Sequence, residues 1–151
     1  MMKVTEQSLL DQMRIHDREI EWLHALGERY HWDPMLLGNL DLCINEALTN
    51  IIDYGYDDSE NKASSTPRWI RVRITLRGTQ VEMQIVEMQI EDDAKPFDPL
   101  AYTLAELATD LATAPVGGLG IRLIRNLMAE CTYQRRDNKN ILTLVARPAD
   151  P

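Results

Sequence analysis

Cysteine is scarce in this chain: only Cys43 and Cys131 occur, far apart, matching neither a zinc nor a redox spacing. That excludes a disulfide framework. Cys43, set among apolar residues, is expected to be a reduced core thiol, in keeping with a cytosolic compartment. Basic residues are also in deficit, with 16 Lys and Arg against 24 Asp and Glu and a net charge of −8. A protein that grips nucleic acid by neutralising phosphates carries the opposite balance. Acidity of this degree fits plain solubility or a protein partner. No apolar run is long enough to cross a bilayer, and Met1 to Leu10 lacks the apolar stretch of a signal peptide. The expectation is a cytoplasmic protein that engages neither membrane nor nucleic acid directly. What remains is ordinary for a globular chain. Its 151 residues, 44% hydrophobic and 26% charged, suffice for a single domain over 1–151 with a proper core.

After a short N-terminal segment, Asp17 to Tyr30 reads as a helix with Ile20, Trp22, Leu23 and Leu26 toward a core. Asp33-Pro34 then supplies an N-cap and a first-turn proline. The following helix carries Leu36, Leu40, Cys43, Ile44, Ala47, Leu48 and Ile51 on one stripe. Gly55 and the polar run from Asp57 to Pro67 end it. From Trp69 the period becomes two, with Ile70, Val72, Ile74 and Leu76 alternating with Arg71, Arg73 and Thr75, and Gly78 marks a hairpin turn. A second strand, an acidic turn and a loop from Asp98 to Val116 follow. A third helix spans Gly118 to Ala129. Two last strands, Thr132 to Arg136 and Ile141 to Arg147, flank an Asn138-Lys139-Asn140 turn. Helices and hairpins interleave without βαβ regularity. The class is therefore α+β, a two-layer sandwich of a mixed, mainly antiparallel sheet with helices on one face.

One irregularity lies in the second strand, where Val81-Glu-Met-Gln-Ile85 is repeated at once as Val86-Glu-Met-Gln-Ile90. Five is odd, so the alternating faces reverse at the junction. A bulge there, or extrusion of one copy, would restore the face. A chance tandem duplication accounts for its origin without any function.

Three separated segments carry chemistry. Glu46 and Asn50 lie four residues apart and stack on one helix face at the edge of the apolar stripe. Asparagine offers a neutral oxygen to a magnesium ion already held by phosphates, and a glutamate can take a proton from an attacking hydroxyl. The plainer alternative is a solvated polar edge. Gly117, Gly118 and Gly120 open an apolar periodic run, where bare backbone N–H groups and a helix N-terminus suit an anion. No Lys-Ser/Thr follows, so this is not a Walker A loop, and no strand precedes it as a dinucleotide fingerprint requires. A flexible hinge is the other reading. Asp92 ends a strand, where a buried carboxylate could accept a hydrogen bond from an exocyclic amine and so choose adenine over guanine. Capping of the local turn by Asp92 and Asp93 is the alternative there.

In this order the segments resemble the anti-sigma-factor serine/threonine kinases, members of the ATP-binding superfamily shared with gyrase and histidine-kinase catalytic domains. The likeness runs from about Asp33 to Arg147. Leu40-Asp-Leu-Cys-Ile-Asn-Glu-Ala-Leu-Thr-Asn-Ile-Ile52 is similar to that family's N box. It implies Asn50 as magnesium ligand and Glu46 as catalytic base toward a partner serine. Asp92-Asp-Ala-Lys-Pro-Phe-Asp-Pro99 resembles its first glycine box, with Asp92, Ala94 and Phe97 at the nucleotide. Pro115-Val-Gly-Gly-Leu-Gly-Ile121 resembles the second, with Gly117, Gly118, Leu119 and Gly120 around the phosphates. Asn140-Ile-Leu-Thr-Leu144 resembles the closing strand and puts Thr143 near the nucleotide. Ala94 stands where the family has glycine, which would cost about 1–2 kcal/mol if the position needed positive φ. Ala114 stands where many relatives carry an arginine.

The resemblance implies ATP and Mg²⁺ as cofactors. Its implied partners are an anti-sigma antagonist of the STAS type, phosphorylated on serine or threonine, and a sigma factor sequestered when that antagonist is absent, with a homodimer as the family's assembly. The rival is a partner-binding module that keeps the nucleotide fold and transfers nothing. A histidine-kinase fragment is a third reading, but His16, His24 and His31 stand in no phosphoacceptor context.

Overall fold

The computed structural model describes residues 3–9, 15–51, 70–78, 85–101 and 118–148. Its elements run β1 (Lys3–Leu9), α1 (Ile15–Arg29), α2 (Pro34–Asn50), β2 (Ile70–Arg77), β3 (Ile85–Asp92), α3 (Gly118–Leu127), β4 (Glu130–Arg136) and β5 (Lys139–Ala146). The five strands form one sheet in the order β1-β2-β3-β5-β4, and every described neighbour pair is antiparallel. This is the α+β arrangement expected from the interleaving of periods, with one addition. The N-terminal segment is a strand, paired along β2 from Lys3↔Leu76 to Leu9↔Ile70.

Local chemistry sets the helix limits. Asp33 accepts a hydrogen bond from the Met35 N–H at 3.3 Å and caps α2, with Pro34 at its first turn. α1 closes through His31 at φ 56, with the Trp32 N–H donating to the Gly27 carbonyl at 2.9 Å and the His31 N–H to that of Glu28 at 3.4 Å. That is a Schellman closure, in which the left-handed residue satisfies two orphan carbonyls and turns the chain into α2.

The core lies between the helices and one sheet face. From the sheet come Ile70, Val72, Ile74 and Leu76 of β2, Val86, Met88 and Ile90 of β3, and Leu142, Leu144 and Ala146 of β5. The stripe of α2 from Leu36 to Ile51 meets them, with Leu23 and Leu26 of α1 and Ile124 of α3. The other face of β2 and β3 carries a cross-strand ladder, Arg71–Glu91 at 3.5 Å and Arg77–Glu87 at 3.2 Å. Such half-exposed pairs contribute little stability but fix the register in which the polar set faces outward.

That register places the second repeat copy in the ladder, with Val86, Met88 and Ile90 alternately buried and Arg77 opposite Ile85. Leu76↔Val86 and Arg77↔Ile85 pair in unbroken register, so the bulge expected at the Ile85–Val86 junction is not there, and Val81 to Gln84 of the first copy lie outside the described residues. Cys43 is the buried thiol anticipated from its neighbours, and burial pushes its pKa up to about 12. Only the thiolate reacts with alkylating reagents. Iodoacetamide at pH 8 should therefore leave Cys43 unlabelled in folded protein and label it on unfolding. Peptide mass spectra check this, and native-state labelling would place the residue outside the core. No described helix is long and apolar enough to cross a membrane.

Candidate nucleotide site

Alternation on the inner sheet face ends in polar residues on two adjacent strands. β3 buries Val86, Met88 and Ile90 and then, at the same parity, Asp92, which is 3% exposed. β5 buries Asn140, at 4%, before Leu142, Leu144 and Ala146. The pairing Asp92↔Asn140 brings the two side chains together at the end of an otherwise apolar layer. Buried polar groups are tolerated only when bonded. Asp92 Oδ1 accepts from Asn140 Nδ2 at 2.9 Å and from the Ala94 N–H at 3.0 Å. Burial pushes the Asp92 carboxyl up to about 6. The Asn140 and Ala94 hydrogen bonds pull it down, Asp93 adds a small rise and Arg135 a small fall.

Asn140 is bonded on both arms. Its Nδ2 also donates to the Lys95 carbonyl at 2.9 Å, and its Oδ1 accepts from the Tyr133 hydroxyl at 2.5 Å and the Phe97 N–H at 3.3 Å. Arg135 donates to the Ala94 carbonyl at 2.8 Å. The turn after β3 is thus fastened to β4 and β5 through its backbone. Farther along, an Arg125 N–H of α3 donates to the Leu100 carbonyl, tying that helix to the end of the turn.

Over this polar floor lies a recess of about 400 Å³ with its open mouth included. Small-molecule sites in general are apolar with a few placed polar groups. Its apolar walls are Ala47, Ile51, Phe97, Pro99, Ile124 and Leu142, and its polar members are Asn50, Asp92, Tyr133 and Asn140. Asn50 ends α2 and is 3% exposed, yet its Nδ2 has no hydrogen-bond partner among the described residues. An unpaired buried amide costs roughly 1–3 kcal/mol, and this one lines the recess, where a ligand could satisfy it.

Of the residues singled out in the sequence, Asn50, Asp92 and Phe97 converge on the recess, and Ala94 adjoins it through its bond to Asp92. Ala94 is not among the residues with positive φ, so the strain attached to losing glycine there does not arise. Glu46 stands half-buried one turn before Asn50 and is not part of the lining. Gly118, Leu119 and Gly120 form the first turn of α3, which contributes Ile124 to the wall, while Gly117 and Ala114 lie outside the described residues.

Thr143 needs correction. It pairs with Gln89 and Thr132, at the parity opposite to Asn140 and Leu142, and therefore faces away from the recess. The residue near Asp92 is Asn140. The sequence pattern puts it in the turn, but Asp137 and Asn138 alone form that turn, at φ 53 and 62, and Lys139 already belongs to β5. Two consecutive left-handed residues make the two-residue hairpin typical of Asp and Asn. Reading it that way would have set the parity of β5 and exposed Asn140. Tyr133 shares that inner face of β4, and nothing in its own segment signals it.

The sequence model of the histidine kinase-like ATPase domain matches residues 11–146. The chain belongs to that family. It is similar to the serine/threonine-protein kinase BtrW of Bordetella bronchiseptica, 35% identical over 128 residues, which cover 85% of this chain and 82% of that protein.

A histidine kinase-like ATPase domain implies ATP, usually with Mg²⁺, and the donor set fits such a pair. No group of three or more His, Cys, Asp or Glu capable of holding a metal occurs among the described residues. The described residues therefore offer no metal cage of their own. Magnesium in phosphate sites takes one or two protein oxygens and completes its shell with phosphate and water. A half-turn of the Asn50 amide presents its oxygen in place of the unpaired Nδ2.

Proposed function

We propose that this chain binds Mg·ATP in the recess between α2, α3 and the inner sheet face, and transfers the γ-phosphoryl group to a serine or threonine of a partner protein. The observation that carries the reading is the pairing, in one recess, of a buried carboxylate with one oxygen already occupied and a buried amide with no partner. Asp92 would accept from the exocyclic amine of adenine, a donor that guanine does not present there. Phe97, Ile124 and Leu142 would pack on the base. Bound magnesium would neutralise phosphate charge. Asn50 would supply one oxygen to it, and the bare first turn of α3 would face the phosphates with free N–H groups.

Glu46 would take the proton from the attacking hydroxyl as its oxygen bonds to the γ-phosphorus and the bond to ADP breaks. The partner, by likeness to anti-sigma-factor kinases, would be a STAS-type anti-sigma antagonist, with a sigma factor held when that antagonist is unavailable and the chain acting as a homodimer. The similarity to a serine/threonine-protein kinase supports the transfer step. A second reading keeps nucleotide binding without transfer, and the position of Glu46 outside the lining favours it.

One experiment separates them. Purified protein is incubated with γ-labelled ATP, magnesium and the candidate antagonist. Label on the antagonist with wild type, and at least a hundredfold less with Glu46→Ala at unchanged ATP affinity, is the expected result, since general bases contribute roughly 10²–10⁴-fold. ATP binding without label transfer by wild type would leave the non-catalytic reading standing.

A further inference from the structure

We propose that Asn140 is a positioning residue for base recognition: by occupying Asp92 Oδ1 and pinning the 94–97 turn, it leaves the other carboxylate oxygen for the base and makes adenine selectivity depend on position 140. The inference rests on the nucleotide reading above and goes beyond it, because Asn140 carries no reaction chemistry.

Asn140 distributes its bonds in a way that a space-filling residue would not. The Nδ2 arm donates to the Asp92 carboxylate and to the Lys95 carbonyl, both at 2.9 Å. The Oδ1 arm receives the Tyr133 hydroxyl and the Phe97 N–H. Both bonds made by the Asp92 carboxylate fall on Oδ1, so Oδ2 accepts none among the described residues. A carboxylate held by one oxygen in a buried place has a fixed orientation, and a fixed acceptor discriminates between a donor and an acceptor on the incoming ring edge. Through the Phe97 N–H, the same asparagine also sets the height of the ring that walls the recess. Selectivity and shape thus share one amide.

The ionisation of Asp92 gives a second handle. Facing it are Asp93 along the turn, Arg135 and Tyr133 from β4, the neutral Asn50 from α2, and the apolar Ile70 of β2 and Ile124 of α3. The hydrogen bond from Asn140 is the largest influence holding its pKa down against burial.

The test measures calorimetric affinities for ATP and GTP from pH 5 to 8 in wild type, Asn140→Ala and Asn140→Asp. The aspartate keeps an acceptor for Phe97 and Tyr133 and replaces the donor arm by a second carboxyl that competes with Asp92 for a proton, so it remains informative if the alanine variant does not fold. The ATP-to-GTP affinity ratio should fall about tenfold in both variants, the scale of one hydrogen bond to a charged group. The pH below which ATP binding weakens should rise above the wild-type value near 6. In wild-type protein the Asn140 side-chain amide signals should titrate with Asp92 and stop doing so in Asp92→Asn.

A merely structural asparagine would weaken both nucleotides equally, with an unmoved ratio and an unmoved pH profile, and that result would overturn the proposal. Amide signals that ignore Asp92 would do the same. Wild-type protein without any ATP preference would instead overturn the nucleotide reading.

Discussion

Asp92→Asn is expected to weaken ATP binding tenfold or more while raising the stability of the ligand-free fold at pH 8. Both effects come from one carboxylate. In the folded protein burial lifts its pKa from 3.8 to about 6, so the folded state prefers the neutral acid more than the unfolded chain does. The folded state then binds more protons across that window, and stability falls as pH rises from about 4 to about 6. Above pH 6 the whole penalty is present, on the order of 3 kcal/mol. Asparagine has nearly the same shape and keeps an oxygen for the Asn140 and Ala94 donors, but it never ionises. The ligand-free variant should therefore melt several degrees above wild type at pH 8, at about 2–4 °C per kcal/mol for a chain of this size. The gain should shrink toward zero below pH 4.

ATP binding should move the other way. The amide now presents its NH₂ where the ionised oxygen accepted from the base, which exchanges an attraction for a clash of donors. Loss of a charge-assisted hydrogen bond contributes roughly 1.5–3 kcal/mol, hence the tenfold figure. For the same reason wild-type affinity should decline as pH drops through about 6, where the carboxylate becomes an acid. Calorimetry and thermal melts on the two proteins decide both points. Equal ATP affinity would remove Asp92 from base recognition, and an unshifted melt at pH 8 would remove the burial penalty.

The sequence made the helices legible because each carries a stripe that only a 3.6-residue period explains. The α2 stripe from Leu36 to Ile51 is buried as read, and Asp33-Pro34 starts the helix where a cap and a first-turn proline should. β2 was legible through its Ile–Arg alternation. β1 was not, since Lys3–Leu9 mixes one basic, one acidic and several small polar residues and shows no period. It is a strand by virtue of its partner, a contact absent from its own sequence.

The site divides the same way. Asn50 and Asp92 could be found because each interrupts or ends an apolar pattern. Asn140 could not be placed, because Ile141-Leu-Thr-Leu-Val145 is apolar on both parities and masks which face is which. Ile141 and Val145 are indeed 7% and 8% exposed although they share the outer face with Thr143. In such a strand only the turn geometry fixes the parity. The resemblance alone points to Thr143, and the observed register gives the place beside Asp92 to Asn140.

The second large effect is expected at Asn50, and it too couples function to a stability cost. Its Nδ2 is buried and unpaired among the described residues, so the ligand-free fold bears an unsatisfied donor at the mouth of α2. Leucine has the same branching and number of side-chain heavy atoms, a good helix propensity and nothing to satisfy, and its larger methyl groups can extend into the open recess. Asn50→Leu should therefore raise ligand-free stability by about 1–3 kcal/mol, the cost of an unsatisfied amide. Asn50→Ala removes the same donor but leaves a hole beside Ala47 and Ile51, and the cavity should cancel most of the gain. Both variants lose the oxygen assigned to magnesium. ATP affinity in wild type should drop when the metal is chelated, whereas both variants should bind ATP equally weakly with magnesium or with EDTA. Leucine and alanine thus part company in the melt and agree in the titration. Equal metal dependence in wild type and variants would show that the ion is held elsewhere. A leucine variant less stable than wild type would mean that the amide at position 50 is satisfied in the ligand-free protein, and the strongest structural sign of a ligand in this recess would be gone.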